Sequence, residues 1–132
     1  MDATVGDRRA ERGRVSIAVG LEELRAKIDE FTTDAYLLTV SDDGRAHSVA
    51  VAVEWDGDEL VIASGGTTRR NAAARPLVAL LWPPPERGGY SLIVDVEVAR
   101  VDDAAEVVVL APTRAVLHRP APGGGSDCAP VL

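Results

Sequence analysis

The sequence predicts a mainly β fold, a closed or partly closed barrel of six or seven short strands carrying two short helices. Three observations lead there. Short runs rich in valine, leucine and isoleucine recur along the chain, several with strict alternation. Turn signals such as "DDG" (42 to 44) and "DGD" (56 to 58) separate them at hairpin spacing. Helical spacing is visible in only two places, and closing such strands into a barrel removes the exposed edges they would otherwise present.

The first 14 residues mix Asp, Glu and Arg and offer little to bury, so they are expected to form a mobile arm, with the domain spanning residues 15–119. Leu21, Leu24, Ile28 and Phe31 recur at helical spacing between charged residues and predict an amphipathic helix that ends near Thr32 and Thr33. "AYLLTVS" (35 to 41) reads as a strand. "RAHSVAVAVEW" (45 to 55) reads as one long alternating strand, with His47, Val49, Val51 and Val53 on one face, and "ELVIAS" (59 to 64) follows as its hairpin partner.

Residues 68–75 predict a short helix stopped by Pro76, and "LVALLW" (77 to 82) returns to strand. "PPPERGG" cannot join a sheet. "YSLIVDVEVARV" (90 to 101) resumes as a long strand, "DDAAE" is an acidic turn, and "VVVLAPTRAVLHR" (107 to 119) is expected to be a final strand broken at Pro112. Residues 120–132, rich in Gly and Pro, read as a flexible tail. Valines on both faces of several strands imply that outer faces are covered, most simply by a second subunit.

Fourteen basic against 21 acidic residues give a formal net charge of -7, which argues against binding nucleic acid or an anionic membrane. One cysteine, Cys128, excludes an internal disulfide and, with no apolar run of membrane-spanning length, fits a cytoplasmic protein. His47 and His118 lie far apart and neither has a ligand-spaced neighbour, so no metal site is expected. Asp95 and Glu97 fall on one strand face at a spacing typical of a solvent face. No Ser/His/Asp or Cys/His arrangement points to a hydrolase.

The best candidate site is "SGGTTRRN" (64 to 71). Glycines admit close backbone approach, and Thr67, Thr68 and the N–H groups of a helix start donate to oxyanions. Arg69 and Arg70 add charge-assisted bonds, although arginine at a helix start is the wrong sign unless an anion meets it. The same residues also suit a simple threonine cap with its arginines in solvent or paired with surface carboxylates. Trp82 and Tyr90 flank the Pro-rich loop, where they either wall a planar ligand or pack the barrel mouth. Trp55, beside a hairpin tip, reads as a surface staple.

The order of segments from "AYLLTVSDDGRAHSVAVAVEWDGDELVIASGGTTRRNAAARPLVALLWPP" to "YSLIVDVEVARV" resembles the split-barrel flavin-binding family related to pyridoxamine 5'-phosphate oxidase. It is similar above all to small actinobacterial members that bind FMN or the deazaflavin coenzyme, over about residues 20–119. The resemblance implies a six-stranded split β-barrel, a homodimer, and a cofactor in a groove at the subunit interface. It implies an oxidoreductase that passes a hydride to or from a small organic substrate. Ser64, Thr67, Thr68, Arg70 and Asn71 match the family's phosphate-side segment, and His47, Ser48 and Val49 its second-strand segment. Thr68 stands where relatives often carry lysine, which weakens the phosphate grip. Val96 lies in a strand where a glycine is common. These departures keep a second possibility open, a non-catalytic binding protein on the same fold, cofactor-free or holding haem through His47 or His118.

Overall fold

The structure, a computed structural model, describes residues 15–121. The arm expected over residues 1–14 lies outside the described residues, as does the expected tail apart from Pro120 and Ala121. The fold is mainly β, as the sequence predicts. In chain order the elements are β1 (Ser16–Val19), a 3-10 turn (Leu21–Glu23), α1 (Leu24–Asp29), β2 (Ala35–Val40), β3 (Ala46–Val51), β4 (Val53–Asp56), β5 (Glu59–Ala63), α2 (Gly66–Ala74), β6 (Leu77–Trp82), β7 (Ser91–Asp102) and β8 (Val107–His118).

All eight strands belong to one antiparallel sheet in the order β3-β2-β6-β7-β8-β5-β4, with β1 added along β8. The two ends of that order, β3 and β4, are consecutive in the chain and separated by Ala52 alone. The run expected as one straight strand is therefore two. It bends at Ala52, so that Ala46–Val51 bonds to β2 and Val53–Asp56 bonds to β5. This bend curls the sheet toward closure. Taken as one bent strand, β3 and β4 join β2, β5, β6, β7 and β8 to give the six strands of the expected barrel.

Alternation decides which side chains fill the interior. Leu37, Leu60, Ile62, Leu80, Leu92, Val94, Val108 and Leu110 are fully buried, and Leu24 of α1 and Ala72 of α2 join the same core. Each buried leucine or isoleucine stabilises the fold by roughly 1.5–3 kcal/mol relative to leaving it in water. The hairpin turns use glycine where the backbone enters the left-handed region, Gly44 at φ 86° and Gly57 at φ 64°.

Three further expectations need correction. The first helix is a 3-10 turn followed by the six-residue α1, with no side-chain cap at either start, so periodicity across Leu21–Phe31 overstates its length. The helix expected over residues 68–75 begins two residues earlier, at Gly66, because Gly65 rather than a threonine supplies the N-cap position. Strand β8 runs through Pro112 unbroken. The β7–β8 register shifts between Asp95 and Val96, leaving Thr113 as an extra residue, and Pro112 is tolerated where the ladder is already interrupted. Strand β1, only four residues long, has no counterpart in the sequence reading.

Trp55 is a half-buried staple: it packs on the core, and Arg25 lies 4.4 Å over its ring and donates to the Gly57 carbonyl at 2.9 Å, tying α1 to the β4–β5 turn. Asp95 faces outward and pairs with Arg114 at 3.7 Å, and Glu97 is exposed. Among the described residues no helix is long and apolar enough to cross a membrane, and no three His, Cys, Asp or Glu side chains group as a metal site.

Candidate functional site

Strand β5 ends at Ala63, and the chain turns through Ser64 and Gly65 into α2. Both backbone groups of Ser64 are fixed from the β7–β8 turn. Its N–H donates to the Glu106 carbonyl at 3.0 Å. Its carbonyl accepts from Arg69 Nη1, and Arg69 Nε in turn donates to Asp103 Oδ1 at 2.9 Å. Glu106 adopts φ 60°, a left-handed conformation unusual for a residue with a Cβ. The clamp holds the Ser64 backbone and leaves its side chain uncommitted: Ser64 Oγ is buried and has no hydrogen-bond partner among the described residues.

The helix start beyond it is open. Gly65 sits at φ -79°, ψ 175° and supplies no side-chain cap, and the first turn carries no acidic residue. The first intrahelical bond is Arg69 N–H to the Gly65 carbonyl at 3.0 Å, so the N–H groups of Gly66, Thr67 and Thr68 have no acceptor inside the helix. These donors and the helix dipole favour an anion. A Cβ on Gly65 would meet no atom within 4 Å, so its absence leaves open cleft for a ligand.

A cleft of about 370 Å³ lies against this terminus, walled by His47, Val49, Ala50 and Val51 of β3 on one side and by Ala63 through Thr68 on the other. Of the expected site residues it brings together His47, Val49, Ser64, Thr67 and Thr68. Thr67 is exposed at the first turn, whereas Thr68 is 3% exposed and belongs to the helix's buried stripe with Asn71 and Ala72. Arg70 does not line the cleft. It is exposed, lies on the side of α2 that bears Gly66 and Thr67, and makes no hydrogen bond or ion pair with the described residues. Helical side chains lean toward the N-terminus, so its guanidinium is free to reach back one turn.

The remaining expected residues have other surroundings. Arg69 belongs to the Ser64 clamp. Asn71, 2% exposed, donates through Nδ2 to Thr39 Oγ1 at 3.2 Å and to Ser41 Oγ at 3.5 Å, which moors α2 to β2. Thr39 Oγ1 also lies 3.5 Å from His47 Nδ1. Ser48 is exposed and does not line the cleft, and Trp82 is buried in the core. Asp103, Glu106, Thr39 and Ser41 are the residues sequence reasoning missed. For Asp103 and Glu106 the acidic turn "DDAAE" is the only local signal, and nothing in it points 34 residues back to Arg69; Thr39 and Ser41 stand in a strand segment with no signal of their own.

Two mycobacterial relatives decide the family. Over 118 residues the chain is 42% identical to the uncharacterized proteins Mb0449c of Mycobacterium bovis and MT0457 of Mycobacterium tuberculosis, a match that spans 78% of this chain and 82% of each relative. The chain belongs to the family of these mycobacterial proteins. Its fold is the split barrel of the proteins related to pyridoxamine 5'-phosphate oxidase. An F420 reductase superposes with a TM-score of 0.54 at 24% identity, covering 65% of this chain and 90% of that one. An FMN-binding protein from Syntrophomonas wolfei gives 0.55 at 16%, covering 72% and 83%. A haem storage protein from Vibrio cholerae gives 0.52 at 13%, covering 81% and 100%. No protein-family model matches the chain. At these identities the split barrel is shared architecture, and the ligand must be argued from the cleft itself.

Proposed function

We propose that this protein is a flavin- or deazaflavin-dependent oxidoreductase that binds the cofactor phosphate at the α2 N-terminus. The observation that carries the reading is Ser64: its backbone is clamped on both sides, its hydroxyl is buried without a partner among the described residues, and the chain runs from it directly into three N–H groups with no acceptor inside the helix. A buried unpaired hydroxyl costs roughly 1–3 kcal/mol, and an anion acceptor at the helix start removes that cost. The residues present fit the group. Ser64, Thr67 and the first-turn amides would hold the phosphate, Arg70 would close on it, and the apolar β3 wall of Val49 and Val51 suits a flat ring. When bound, the cofactor supplies the hydride chemistry. The protein's part is to anchor the phosphate, orient the ring against β3 and exclude water, with His47 on the same wall of the cleft.

A second copy of the chain completes the proposal. The outer faces of β2, β6 and β7 place Tyr36, Leu81 and Ile93 in register and expose Val40 and Leu77, the last at 78%. A face of this kind is suited to a homodimer, with a groove for a small organic substrate beside it. Sedimentation equilibrium tests this: a monomer at micromolar concentration would overturn it.

A non-catalytic haem protein is the second reading, favoured by the position of His47 on the cleft wall. Titrating the full chain with FMN, the deazaflavin coenzyme, riboflavin and haem, followed by ligand fluorescence and by the haem Soret band, separates the two. Binding of either phosphorylated cofactor, weakened at least about tenfold without the phosphate, supports the oxidoreductase. A Soret shift abolished by His47→Ala, with no phosphorylated cofactor bound, overturns it.

A further inference from the structure

Away from the α2 cleft, a hollow of about 330 Å³ lies where the 3-10 turn meets the β4–β5 hairpin. Leu21, Leu24, Trp55 and Pro112 give it apolar walls, and Glu22 and Asp58 bring two carboxylates. Leu21 is 46% exposed, and Trp55 Nε1 is buried with no hydrogen-bond acceptor among the described residues. Glu22 and Asp58 form no ion pair among the described residues. Arg25, over the Trp55 ring, donates to the Gly57 carbonyl and to neither carboxylate. Uncovered apolar surface beside unpaired carboxylates suits a cation on an apolar stem, and a backbone carbonyl arriving with it would give the indole N–H an acceptor. The other clefts lack this combination: one faces a helix N-terminus, and the one against Leu77 holds Asp95, already paired with Arg114 at 3.7 Å.

The chain itself supplies the complementary group. Residues 1–14 hold Arg8, Arg9, Arg12 and Arg14 against three carboxylates, whereas residues 15–132 hold ten basic against 18 acidic residues and so carry a net charge of -8. This positive segment joins the described structure at Val15, whose carbonyl accepts from the Arg119 N–H at 2.9 Å. From there β1 runs antiparallel to β8, with Ser16 beside His118 and Val19 beside Ala115, toward Pro112 and the hollow. Leu21 lies six residues beyond Val15, about 20 Å at the rise of a strand. A chain doubling back needs as many residues, which brings Arg9 and Arg8, six and seven residues before Val15, level with the hollow. Arg12 and Arg14 stop short. Tethering sets the local arginine concentration on the order of millimolar, so charge pairs too weak to hold separate molecules together suffice here.

We propose that the N-terminal segment folds back along β1 and docks Arg8 and Arg9 in this hollow, their guanidinium groups against Glu22 and Asp58 and their stems over Leu21 and Pro112.

Paramagnetic relaxation in NMR spectra of the full, isotope-enriched chain tests this. A nitroxide is attached at Ala3→Cys, with Cys128→Ser to leave a single thiol. The amides of Leu21, Glu22 and Asp58 and the Trp55 indole N–H should be broadened, and those of residues 65–68, at the other end of β5, should not. The broadening should fall at least about threefold in Glu22→Gln/Asp58→Asn and in Arg8→Ala/Arg9→Ala, and persist in Arg12→Ala/Arg14→Ala, which removes the same charge. It should also weaken as salt is raised.

No broadening at the hollow, broadening unmoved by the carboxylate pair, or an equal loss in both arginine pairs overturns the proposal. So does broadening that appears when an unenriched chain bearing the nitroxide is mixed with an enriched chain lacking it, because the occupant is then the segment of a second copy.

Discussion

The two ends of α2 are built to opposite rules. Toward its C-terminus the polar side chains are engaged: Asn71 with Thr39 and Ser41, and Arg75 with the Val40 carbonyl at 3.3 Å and Asp42 at 3.1 Å. The N-terminal end has a glycine at the cap position, a buried serine hydroxyl and, among the described residues, three amides and an arginine, Arg70, without partners. The difference shows how a helix can be held at one end while the donors at the other stay open to the cleft. Under the proposed anion reading, pre-organisation of this kind lowers the cost of ordering on binding.

The largest expected effect comes from breaking the anchored end. Asn71→Ala removes the donor to two hydroxyls and opens a buried gap, so unfolding free energy should fall by about 1–3 kcal/mol. Urea denaturation measures it, and cofactor affinity should fall with it because the mooring of α2 loosens. Stability unchanged within error would mean that the mooring lies elsewhere.

Next is the open end. Arg70→Ala should weaken binding of the phosphorylated cofactor by roughly 1.5–3 kcal/mol, the range for a hydrogen bond to a charged group. Its denaturation midpoint should not move, since exposed substitutions away from special features stay within about 0.5 kcal/mol. The two variants therefore separate along different axes, one losing fold and site together, the other the site alone.

Gly65→Asp sharpens the contrast further because the two effects have opposite signs. The backbone at Gly65 suits any L-residue, and a Cβ meets nothing. An aspartate there caps the free amides and complements the dipole, which should raise stability by about 0.3–1 kcal/mol. The same carboxylate occupies the anion's donors and repels it, so cofactor binding should fall at least about tenfold. Isothermal titration beside thermal denaturation reads both. Stabilisation with binding intact would show that the phosphate sits elsewhere.

What was legible in the sequence follows the range of the interactions involved. The Gly-Gly-Thr-Thr-Arg-Arg run announces its own chemistry because its donors and its backbone freedom are local. Alternation from His47 to Val53 shows which side chains face inward, yet it is blind to the bend at Ala52, since a period of two survives a change of direction. Capping preferences favour threonine and so point to a later helix start, whereas Gly65 takes the N-cap position and leaves the first amides without a side-chain cap. Arg69 and Arg70 look alike as neighbours. Only the fold shows that Asp103, brought close by the β7–β8 hairpin, holds one and leaves the other.

The smallest expected effect tests the other half of that clamp. Glu106 at φ 60° sets the carbonyl that accepts the Ser64 N–H. A left-handed backbone costs a residue with a Cβ roughly 1–2 kcal/mol, whereas glycine adopts it freely but loses about 0.5–1 kcal/mol more in conformational entropy on folding. These terms oppose each other, so Glu106→Gly should gain between about 0 and 1.5 kcal/mol in urea denaturation and leave cofactor affinity unchanged. A loss of stability would mean that the exposed Glu106 side chain, and not only its backbone, holds the turn. A loss of affinity at unchanged stability would mean that stiffness at this residue keeps the Ser64 hydroxyl in place, extending the pre-organised site from the helix start into the hairpin that clamps it.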